Sequence, residues 1–327
     1  MRLFFVAVLV TCLGAVGIGY GWLNRPFDLS TPTVDLSIEP GASAKEIALN
    51  VAEAGVPVNP TLLYWWFRLS GESRKIKAGS YELDPGTTPL SLLRKLVQGE
   101  EALRSVTLVE GWTFRQVREA LAKAEYLKPQ SQNLTENAIM EQLGKPGTPA
   151  EGRFFPDTYT YSKGSSDLAV LQRAMRAMDK KLDAVWAQRI PQTPLQSPEQ
   201  ALVLASIIEK ETGRGTDRPL IGAVFSNRLR IGMRLQTDPT VIYGLGESFN
   251  GNLRKVDLQT DTPWNTYTRN GLPPTPIAMP GKAALLAAVQ PAQSKALYFV
   301  AKGDGSSQFS TTLDEHNRAV NKYQRGQ

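Results

Sequence analysis

The sequence predicts an α+β protein with three parts: a single N-terminal transmembrane helix, a small α+β module, and a mainly helical domain with some strands. Three observations support this fold class. Residues 3–22 form an apolar run without charge, three short repeats join a strand to a helix through a glycine, and helix start signals dominate the second half of the chain. A length of 327 residues suffices for about two domains and an anchor.

The composition narrows the possible chemistry. Cys12 and His316 are the only cysteine and histidine, which excludes a disulfide framework and a zinc site of the usual Cys/His composition. A Ser-His-Asp triad would have to use His316, and counting alone leaves a site made only of carboxylates open. Acid–base chemistry must therefore rest mainly on Asp, Glu, Lys and Tyr. The net charge of +6 is scattered, without a run of five or more Lys or Arg, so we expect no nucleic-acid partner.

The apolar run at residues 3–22 is long enough to cross about 30 Å of hydrocarbon. Arg2 precedes the run and Arg25 follows it, a weak asymmetry that favours a cytoplasmic N-terminus. We therefore predict a cytoplasmic N-terminus and a transmembrane anchor within residues 1–24, followed by a linker over residues 25–32.

Two alternatives compete with an uncleaved anchor. A cleaved signal peptide would have a shorter apolar core and a small-x-small exit, and neither is clear in this sequence. Lipoprotein cleavage at Cys12 would need a small residue immediately before the cysteine, where Thr11 stands. The sequence therefore favours the uncleaved anchor.

A strand, a glycine and a helix follow one another three times in the first half of the chain. In each copy a Ser or Thr that can cap a helix lies two residues after the glycine: Gly41 and Ser43, Gly86 and Thr88, Gly111 and Thr113. Two copies also have the spacing of a capping box: Ser43 with Glu46, and Thr113 with Gln116. Such units must pack together to bury their apolar faces. We therefore expect the three copies and a further helix over residues 61–71 to form one small α+β module.

This module has two interpretations of comparable weight. It is either a scaffold or a carbohydrate-binding module, because small sugar-binding modules of the LysM kind use the same strand–helix pattern. The residue pattern alone does not separate the two.

A helix with strong start signals carries the main catalytic candidate. Ser197 is a helix cap, Pro198 suits the first helical position, and Gln200 has the spacing of a capping box. We predict that this helix ends at Gly213. One face carries residues at i, i+3, i+4 and i+7: Leu204, Ile207, Ile208 and Glu211. Glu211 therefore lies in line with the face that we expect to be buried.

Burial, the negative end of the helix and the nearby Glu209 would each raise the pKa of the Glu211 carboxyl. A carboxylic acid that keeps its proton near pH 7 is what a general acid requires. The alternative is that Glu211 is a solvent-exposed glutamate at a fraying helix end. Glu209, on a less apolar face of the same helix, is the rival candidate for catalysis.

The candidates for substrate binding lie mostly in the segments that follow this helix. Amides bind sugar hydroxyls, and aromatic rings cover the apolar face of a sugar. The candidates in these segments are Asn227, Gln236, Tyr243 and Tyr267. Glu209, on the same helix as Glu211, is a further candidate. We expect Asp238, followed by Pro239, to cap a further helix.

Four segments together match one protein family: SIIEKETG, NRLRIGMRLQTDPTVIYGLGE, NTYTRNGLPPTPIAMPG, and LYFVAKGDG with a later EHN. From its anchor to near its C-terminus, the chain resembles the YceG-like endolytic murein transglycosylases, known as MltG. The catalytic glutamate of that family is the second one of E-K-E, which is Glu211 in this sequence. Gln308 stands where many members have histidine, so we expect that position to have no role in the chemistry.

The resemblance implies an inner-membrane protein with a LysM-like module over residues 33–103 and a periplasmic catalytic domain over residues 104–327. It implies peptidoglycan glycan strands as the substrate, which the enzyme would terminate or process as they grow, and cell-wall synthases as partners. No metal or organic cofactor is implied.

The implied reaction is non-hydrolytic cleavage of the β-1,4 bond between N-acetylmuramic acid and N-acetylglucosamine. Glu211 would act first as acid and then as base, and the product would carry a 1,6-anhydro ring. Two alternatives make different predictions. A non-enzymatic peptidoglycan-binding scaffold would release no product, and an ordinary muramidase would leave reducing-end muramic acid.

Overall fold

The structure of the protein is a computed structural model that describes residues 1–326. Gln327 lies outside the described residues, as do the side chains of part of the first helix: Arg2, Leu3, Phe5, Ala7, Val8, Leu9, Cys12 and Ala15. The alternative cleavage site at Cys12 and the last residue of the predicted catalytic domain therefore fall outside the described part. As predicted, the chain is mixed α+β and mainly helical, with three two-stranded sheets among the described residues.

The chain divides into two compact units, of which the first is built around one antiparallel strand pair. This first unit comprises Met1–Arg104 with Thr160–Ser165. Its elements are α1 (Arg2–Asn24), β1 (Val34–Ile38), α2 (Ala44–Glu53), α3 (Pro60–Leu69), a 3-10 turn (Ser73–Lys75), β2 (Gly79–Leu83) and α4 (Pro89–Gln98). β1 and β2 pair with Val34 opposite Leu83, and their inward side chains join an apolar core with α2, α3 and α4. No helix among the described residues is long and apolar enough to cross a membrane.

The second unit is mainly helical and comprises Ser105–Tyr159 with Ser166–Gln327. Its elements are β3 (Leu103–Thr107), α5 (Phe114–Lys123), α6 (Glu136–Gln142), β4 (Thr158–Ser162), α7 (Asp167–Ala187), α8 (Pro198–Glu211), α9 (Arg218–Arg230), α10 (Asp238–Leu245), a 3-10 turn (Gly246–Ser248), α11 (Lys255–Gln259), α12 (Lys282–Val289), β5 (Tyr298–Ala301), β6 (Ser307–Ser310), α13 (Leu313–Val320) and a π-helical turn (Asn321–Arg325). β3 pairs with β4, and the chain passes between the units within these strands. β5 and β6 are antiparallel.

The three strand–glycine–helix repeats form as predicted. Ser43, Thr88 and Thr113 each accept a hydrogen bond from a backbone N–H in the first turn of the helix that follows. The glycines two residues earlier have φ angles of 85°, 98° and 78°, a conformation that favours glycine. Both predicted capping boxes are present, and Thr88 forms a third with Ser91.

The prediction that all three repeats share one module is wrong. The third repeat lies in the second unit, because its turn and its helix bond to residues of that unit. The Gly111 N–H donates to the Met279 carbonyl at 2.8 Å, and the Met279 N–H donates to the Trp112 carbonyl at 2.7 Å. Phe114, the first residue of α5, stacks on Phe154 with ring centroids 5.0 Å apart.

α8 is the buried centre of the second unit. Every residue from 201 to 208 is buried, and the helix packs against α7, α9 and α12. Gly222 on α9 permits a close approach to α12, because a side-chain carbon at this position would lie 2.3 Å from the Ala287 carbonyl oxygen. The helix that presents Glu211 is therefore held on three sides by close packing.

The start of α8 differs in one detail from the prediction. Ser197 caps the helix by accepting a hydrogen bond from the Gln200 N–H at 3.3 Å. The Gln200 side chain, however, accepts from the Gln196 N–H at 2.8 Å, so the predicted capping box is incomplete. The cap is present, but the reciprocal bond goes to the residue before it.

Candidate active site

Glu211 is the last residue of α8, which ends two residues before the predicted end at Gly213. Thr212 leaves the helix in an extended conformation, and its hydroxyl accepts a hydrogen bond from the Arg214 N–H at 3.0 Å. This local bond competes with a further turn of helix. Glu211 is therefore presented at the end of the buried helix, where the residue keeps partial solvent exposure.

Burial raises the pKa of Glu211 from its ordinary 4.5 to about 7, because protein atoms enclose the carboxyl even though part of the residue faces solvent. The charge of Asp238 raises the pKa further, while the hydrogen bond from Thr237 and the charge of Arg228 lower it. At pH 7 the carboxyl is thus protonated in about half of the molecules. The pKa of Glu211 is raised, as predicted from the sequence. The nearby negative charge that contributes belongs to Asp238, however, and not to Glu209.

A buried threonine cluster holds the hydroxyl that contacts Glu211. Thr237 Oγ1 donates a hydrogen bond to Glu211 Oε1. The Thr237 N–H donates to Thr266 Oγ1 at 3.1 Å, and Thr240 Oγ1 donates to the Thr237 carbonyl at 2.7 Å. The hydroxyl oxygens of Thr240 and Thr266 lie 2.9 Å apart. Because all three threonines are buried and bonded to one another, the hydroxyl beside Glu211 has a fixed position.

Asp238 does not cap its helix as predicted. It is the first helical residue of α10, and its carboxylate accepts a hydrogen bond from the Tyr267 hydroxyl at 2.5 Å. Asn265 is fully buried and fixes this loop, because its Oδ1 accepts from the Tyr267 N–H at 2.8 Å. Burial, followed by the bond to Asp238, raises the pKa of Tyr267, and the charge of Glu211 raises it further. Tyr267 is therefore a neutral hydroxyl within electrostatic reach of Glu211.

Arg228 on α9 belongs to the same site, although the sequence assigned it no role. Its buried guanidinium donates from Nε to the Leu297 carbonyl at 2.7 Å and from Nη1 to the Leu235 carbonyl at 2.6 Å. Burial lowers the pKa of Arg228, and the charge of Glu211 opposes that effect. One signal was available in the sequence: an arginine on a largely apolar helix needs buried partners.

Two of the predicted substrate-binding residues have protein partners for their polar atoms. Asn227 donates from Nδ2 to the carbonyls of Ser294 and Ala296, both at 2.9 Å. Glu209 is an ion-pair partner of Arg218 at 3.0 Å, and its other oxygen accepts from the Gly281 N–H at 2.8 Å. These contacts favour structural roles for Asn227 and Glu209. The two side chains connect α9 and α8 to the segments before β5 and α12.

Gln236 directly precedes Thr237 and is exposed. Its φ of 46° lies in the left-handed region, which few residues other than glycine adopt. Its N–H donates to the Thr266 carbonyl at 3.1 Å. Such strained backbone often occurs at functional sites, and the exposed Gln236 stands next to the residue that contacts Glu211.

Tyr243 lies next to Glu151, a second buried acid that was not among the residues predicted from the sequence. Its ring meets Trp264 edge-on with centroids 5.5 Å apart, and its hydroxyl is hydrogen-bonded to Glu151. Glu151 also accepts from the Phe114 N–H at 3.1 Å, and burial raises its pKa to about 7. Glu151 lies in a loop, where no periodicity could indicate that it is buried.

Taken together, the groups around Glu211 can move a proton in both directions. A carboxyl with a pKa of about 7 can give up or accept a proton near neutral pH. Neutral hydroxyls, one fixed cation and the Asp238 carboxylate surround it. In the described part of the chain, no three His, Cys, Asp or Glu side chains are grouped so that they could hold a metal ion.

The sequence model of the YceG-like family matches residues 36–322. The chain belongs to the YceG-like family. The resemblance inferred from the four motifs is thereby confirmed. A Bacillus subtilis protein named endolytic murein transglycosylase is 33% identical to this chain over 311 residues. The match covers 90% of this chain and 86% of that protein.

Two further proteins are similar to this chain. A Streptococcus pneumoniae protein with the same name is 28% identical over 320 residues, covering 88% of this chain but 58% of that longer protein. A crystal structure of a YceG-like protein from Listeria monocytogenes is 31% identical with a TM-score of 0.56, and the match covers 88% of this chain and 99% of that one. The similarity in fold therefore extends over most of the chain.

Proposed function

We propose that the protein is an endolytic murein transglycosylase that cleaves the β-1,4 bond between N-acetylmuramic acid and N-acetylglucosamine and leaves 1,6-anhydro ends. One observation carries this proposal: Glu211 ends a buried helix with a carboxyl whose pKa is about 7 and which Thr237 holds by a hydrogen bond. The names of the Bacillus and Streptococcus relatives support the same activity.

In the first step, protonated Glu211 gives its proton to the oxygen that leaves with N-acetylglucosamine. The C1–O4 bond breaks with its electron pair on that oxygen, and positive charge develops at C1 of the muramic acid. Glu211 is then a carboxylate. A pKa near the working pH suits this step, because the acid must hold a proton and yet release it readily.

In the second step, the Glu211 carboxylate takes the proton from the C6 hydroxyl of the same muramic acid. The freed oxygen attacks C1 and closes the 1,6-anhydro ring, so Glu211 is protonated again and no water is consumed. Hydrolytic glycosidases usually need a second carboxylate to activate water or to form a covalent intermediate. Here an internal hydroxyl is the nucleophile, so one carboxyl serves both steps.

Three of the candidate residues are proposed to hold the sugar chain. Gln236 offers an exposed amide beside Thr237. Tyr267, in the loop after α11, and Tyr243, on α10, offer their rings. Their hydroxyls bond to the carboxylates of Asp238 and Glu151. Asn227 and Glu209 are assigned to the support of the site, because their polar atoms already bond to the protein.

The first unit is proposed to contain a LysM-like module over residues 33–103 that binds the glycan, followed by the catalytic domain over residues 104–327. The antiparallel β1 and β2 enclose α2 and α3 in chain order, which agrees with the strand–helix pattern of such modules. Trp65 on α3 is 54% exposed and offers a ring for a sugar face. A Trp65→Ala chain retained less by cell-wall sacculi would support sugar binding, and equal retention would favour a scaffold.

Residues 1–24 are proposed to anchor the protein in the inner membrane as a single pass, with the N-terminus cytoplasmic and the catalytic domain periplasmic. The uncharged run at residues 3–22 supports this, and several apolar side chains of α1 are exposed: Phe4, Val6, Val10, Leu13, Val16 and Ile18. An anchored enzyme would meet growing glycan strands and cell-wall synthases at the membrane surface. Recovery of the protein in the membrane fraction after a high-salt wash tests the anchor.

The activity is tested by incubating sacculi with the wild type, Glu211→Gln and Glu199→Gln, followed by mass spectrometry of the released fragments. Glu199 is a matched control, since it is an exposed glutamate in the first turn of the same helix. We expect anhydro fragments from the wild type and from Glu199→Gln, and none from Glu211→Gln. Anhydro fragments from Glu211→Gln would refute its role, and an inactive wild type would favour a binding scaffold.

A further inference from the structure

We propose that Arg228 is a positioning residue of the reaction: it clamps the turn that carries Thr237 against Glu211, and its positive charge stabilises Glu211 as a carboxylate between the two proton transfers. The inference rests on the proposed function, because it assigns Arg228 a part in the same two steps.

The clamp follows from the partners of the guanidinium. Nη1 donates to the Leu235 carbonyl at 2.6 Å, and Nε donates to the Leu297 carbonyl at 2.7 Å. The first partner lies two residues before Thr237, and the second lies immediately before β5. Arg228 thus ties α9 to two separate segments at once. The planar fork of arginine can make both bonds together, which the single ammonium of lysine does less well.

The turn over residues 235–237, which Arg228 holds through Leu235, is strained and therefore depends on the contacts around it. Gln236 lies between Leu235 and Thr237 and has a φ of 46°. A turn in this conformation persists only when its surroundings hold it. The turn is held by the bond to Leu235 on one side and by the bonds from the Gln236 and Thr237 N–H groups to Thr266 on the other. If the Leu235 bond is lost, one side of the turn is released and the Thr237 hydroxyl is held less firmly beside Glu211.

The charge of Arg228 acts within a defined set of neighbours. The groups around Glu211 are Arg228 on α9, Asp238 on α10 and Tyr267 in the loop after α11. Asp238 raises the pKa of Glu211, whereas Arg228 is the cation that lowers it. On its other side, the Arg228 guanidinium lies over the Tyr298 ring, 5.3 Å from the ring centroid.

A neutral histidine lies on the far side of the Tyr298 ring and does not neutralise the charge of Arg228. Tyr298 stacks in turn on His316, with centroids 5.2 Å apart. Burial, and then the charge of Arg228, lower the pKa of His316, so this histidine stays neutral near pH 7. In the described part of the chain no carboxylate lies within ion-pair distance of Arg228, and its charge acts on Glu211 from beyond that distance.

This charge matters because burial alone would make Glu211 a poor acid. A desolvated carboxyl resists ionisation, and the first step requires that it ionise. A fixed cation nearby stabilises the carboxylate as it forms, without any rearrangement at that moment. The hydrogen bond from Thr237, which Arg228 holds in place, works in the same direction.

The test compares Arg228→Gln, Arg228→Lys and Arg230→Gln in the full chain, by the initial rate of anhydro-fragment release from sacculi between pH 5 and pH 9. Arg230 is the matched control, because it is an exposed arginine on the same helix that bonds to Asn227 and Gln192. The wild-type rate falls as pH rises through about 7, because Glu211 must start protonated. Arg230→Gln is expected to behave like the wild type.

Without the positive charge, the alkaline fall in rate moves up by about one pH unit in Arg228→Gln, and the rate at the optimum falls at least about tenfold. Arg228→Lys keeps the charge, so its fall moves up by less than that of Arg228→Gln, but it also loses at least about tenfold in rate because the clamp is incomplete. A purely structural role would move the pH of the fall equally in Arg228→Gln and Arg228→Lys.

A folded Arg228→Gln protein whose rate falls at the wild-type pH would overturn the charge assignment. Full wild-type rate in Arg228→Lys would overturn the clamp, and this outcome stays decisive if Arg228→Gln fails to fold. Wild type and Glu211→Gln are assayed in parallel. An inactive wild type or an active Glu211→Gln refutes the proposed function itself, whereas normal results for both with unaffected Arg228 variants refute only this inference.

Discussion

Replacing Glu211 by glutamine is expected to stabilise the protein at alkaline pH while it abolishes the activity. Burial raises the pKa of Glu211 from 4.5 to about 7, so the native state prefers the protonated carboxyl. A group with a raised native pKa supports the fold fully below its unfolded pKa of 4.5, and this support is lost as pH rises to about 7. Glutamine resembles the protonated form at every pH and avoids this loss.

The size of the effect follows from the pKa shift. A change from 4.5 to about 7 corresponds to about 3 kcal/mol in the free energy of unfolding. The partial exposure of the residue, and an altered bond to Thr237, reduce this value. We therefore expect Glu211→Gln to gain about 1–2 kcal/mol over the wild type at pH 8 and close to nothing at pH 4.

The assay is thermal unfolding of the full chain at pH 4, 6 and 8, with Glu199→Gln as the control. A gain of 1–2 kcal/mol appears as a rise of a few degrees in Tm, which we expect only for Glu211→Gln and only toward pH 8. An equal shift in Tm at pH 4 and pH 8 would refute the titration of Glu211 as the cause, because such a shift would not come from a buried ionised carboxyl. A loss of stability at pH 8 would refute it as well.

Two further predictions concern the surroundings of Glu211, and a third concerns the packing of α9 on α12. Thr237→Val removes a hydrogen bond that favours the carboxylate, so the alkaline fall in the rate of anhydro release moves to higher pH by up to about one unit; an unmoved profile would contradict this. Tyr267→Phe removes the bond to Asp238 and is expected to lower that rate by about tenfold with little change in Tm, whereas an unchanged rate would remove Tyr267 from the site. Gly222→Ala places a carbon 2.3 Å from the Ala287 carbonyl oxygen and is expected to cost about 1–3 kcal/mol, measured as a lower Tm; an unchanged Tm would show that α9 and α12 can separate without cost.

Local signals predicted the helix starts well. Ser43, Thr88 and Thr113 cap helices in the structure, because capping depends on residues three positions apart in the chain. The buried face of α8 also followed from its spacing, since residues at i, i+3, i+4 and i+7 share one side of a helix. These features need no knowledge of the rest of the fold.

Contacts between distant segments were not predictable in the same way. Asp238 had the sequence of a helix cap, yet its carboxylate bonds to Tyr267, 29 residues later in the chain. Thr237 and Arg228 reach Glu211 only because α9 and the turn before α10 fold against the end of α8. The third repeat carried the same signals as the first two, but its tertiary bonds place it in the other unit. Residue spacing carries no information about such partners.

The fate of water at the cleaved bond shows whether an internal hydroxyl is the nucleophile in the reaction of Glu211. Sacculi are digested by the wild type in ¹⁸O-labelled water, the products are reduced at once to stop exchange, and the muramic acid ends are examined by mass spectrometry. We predict 1,6-anhydro ends that carry no ¹⁸O. Muramitol ends that carry one ¹⁸O would contradict this prediction, because water would then have attacked C1 and left a reducing end.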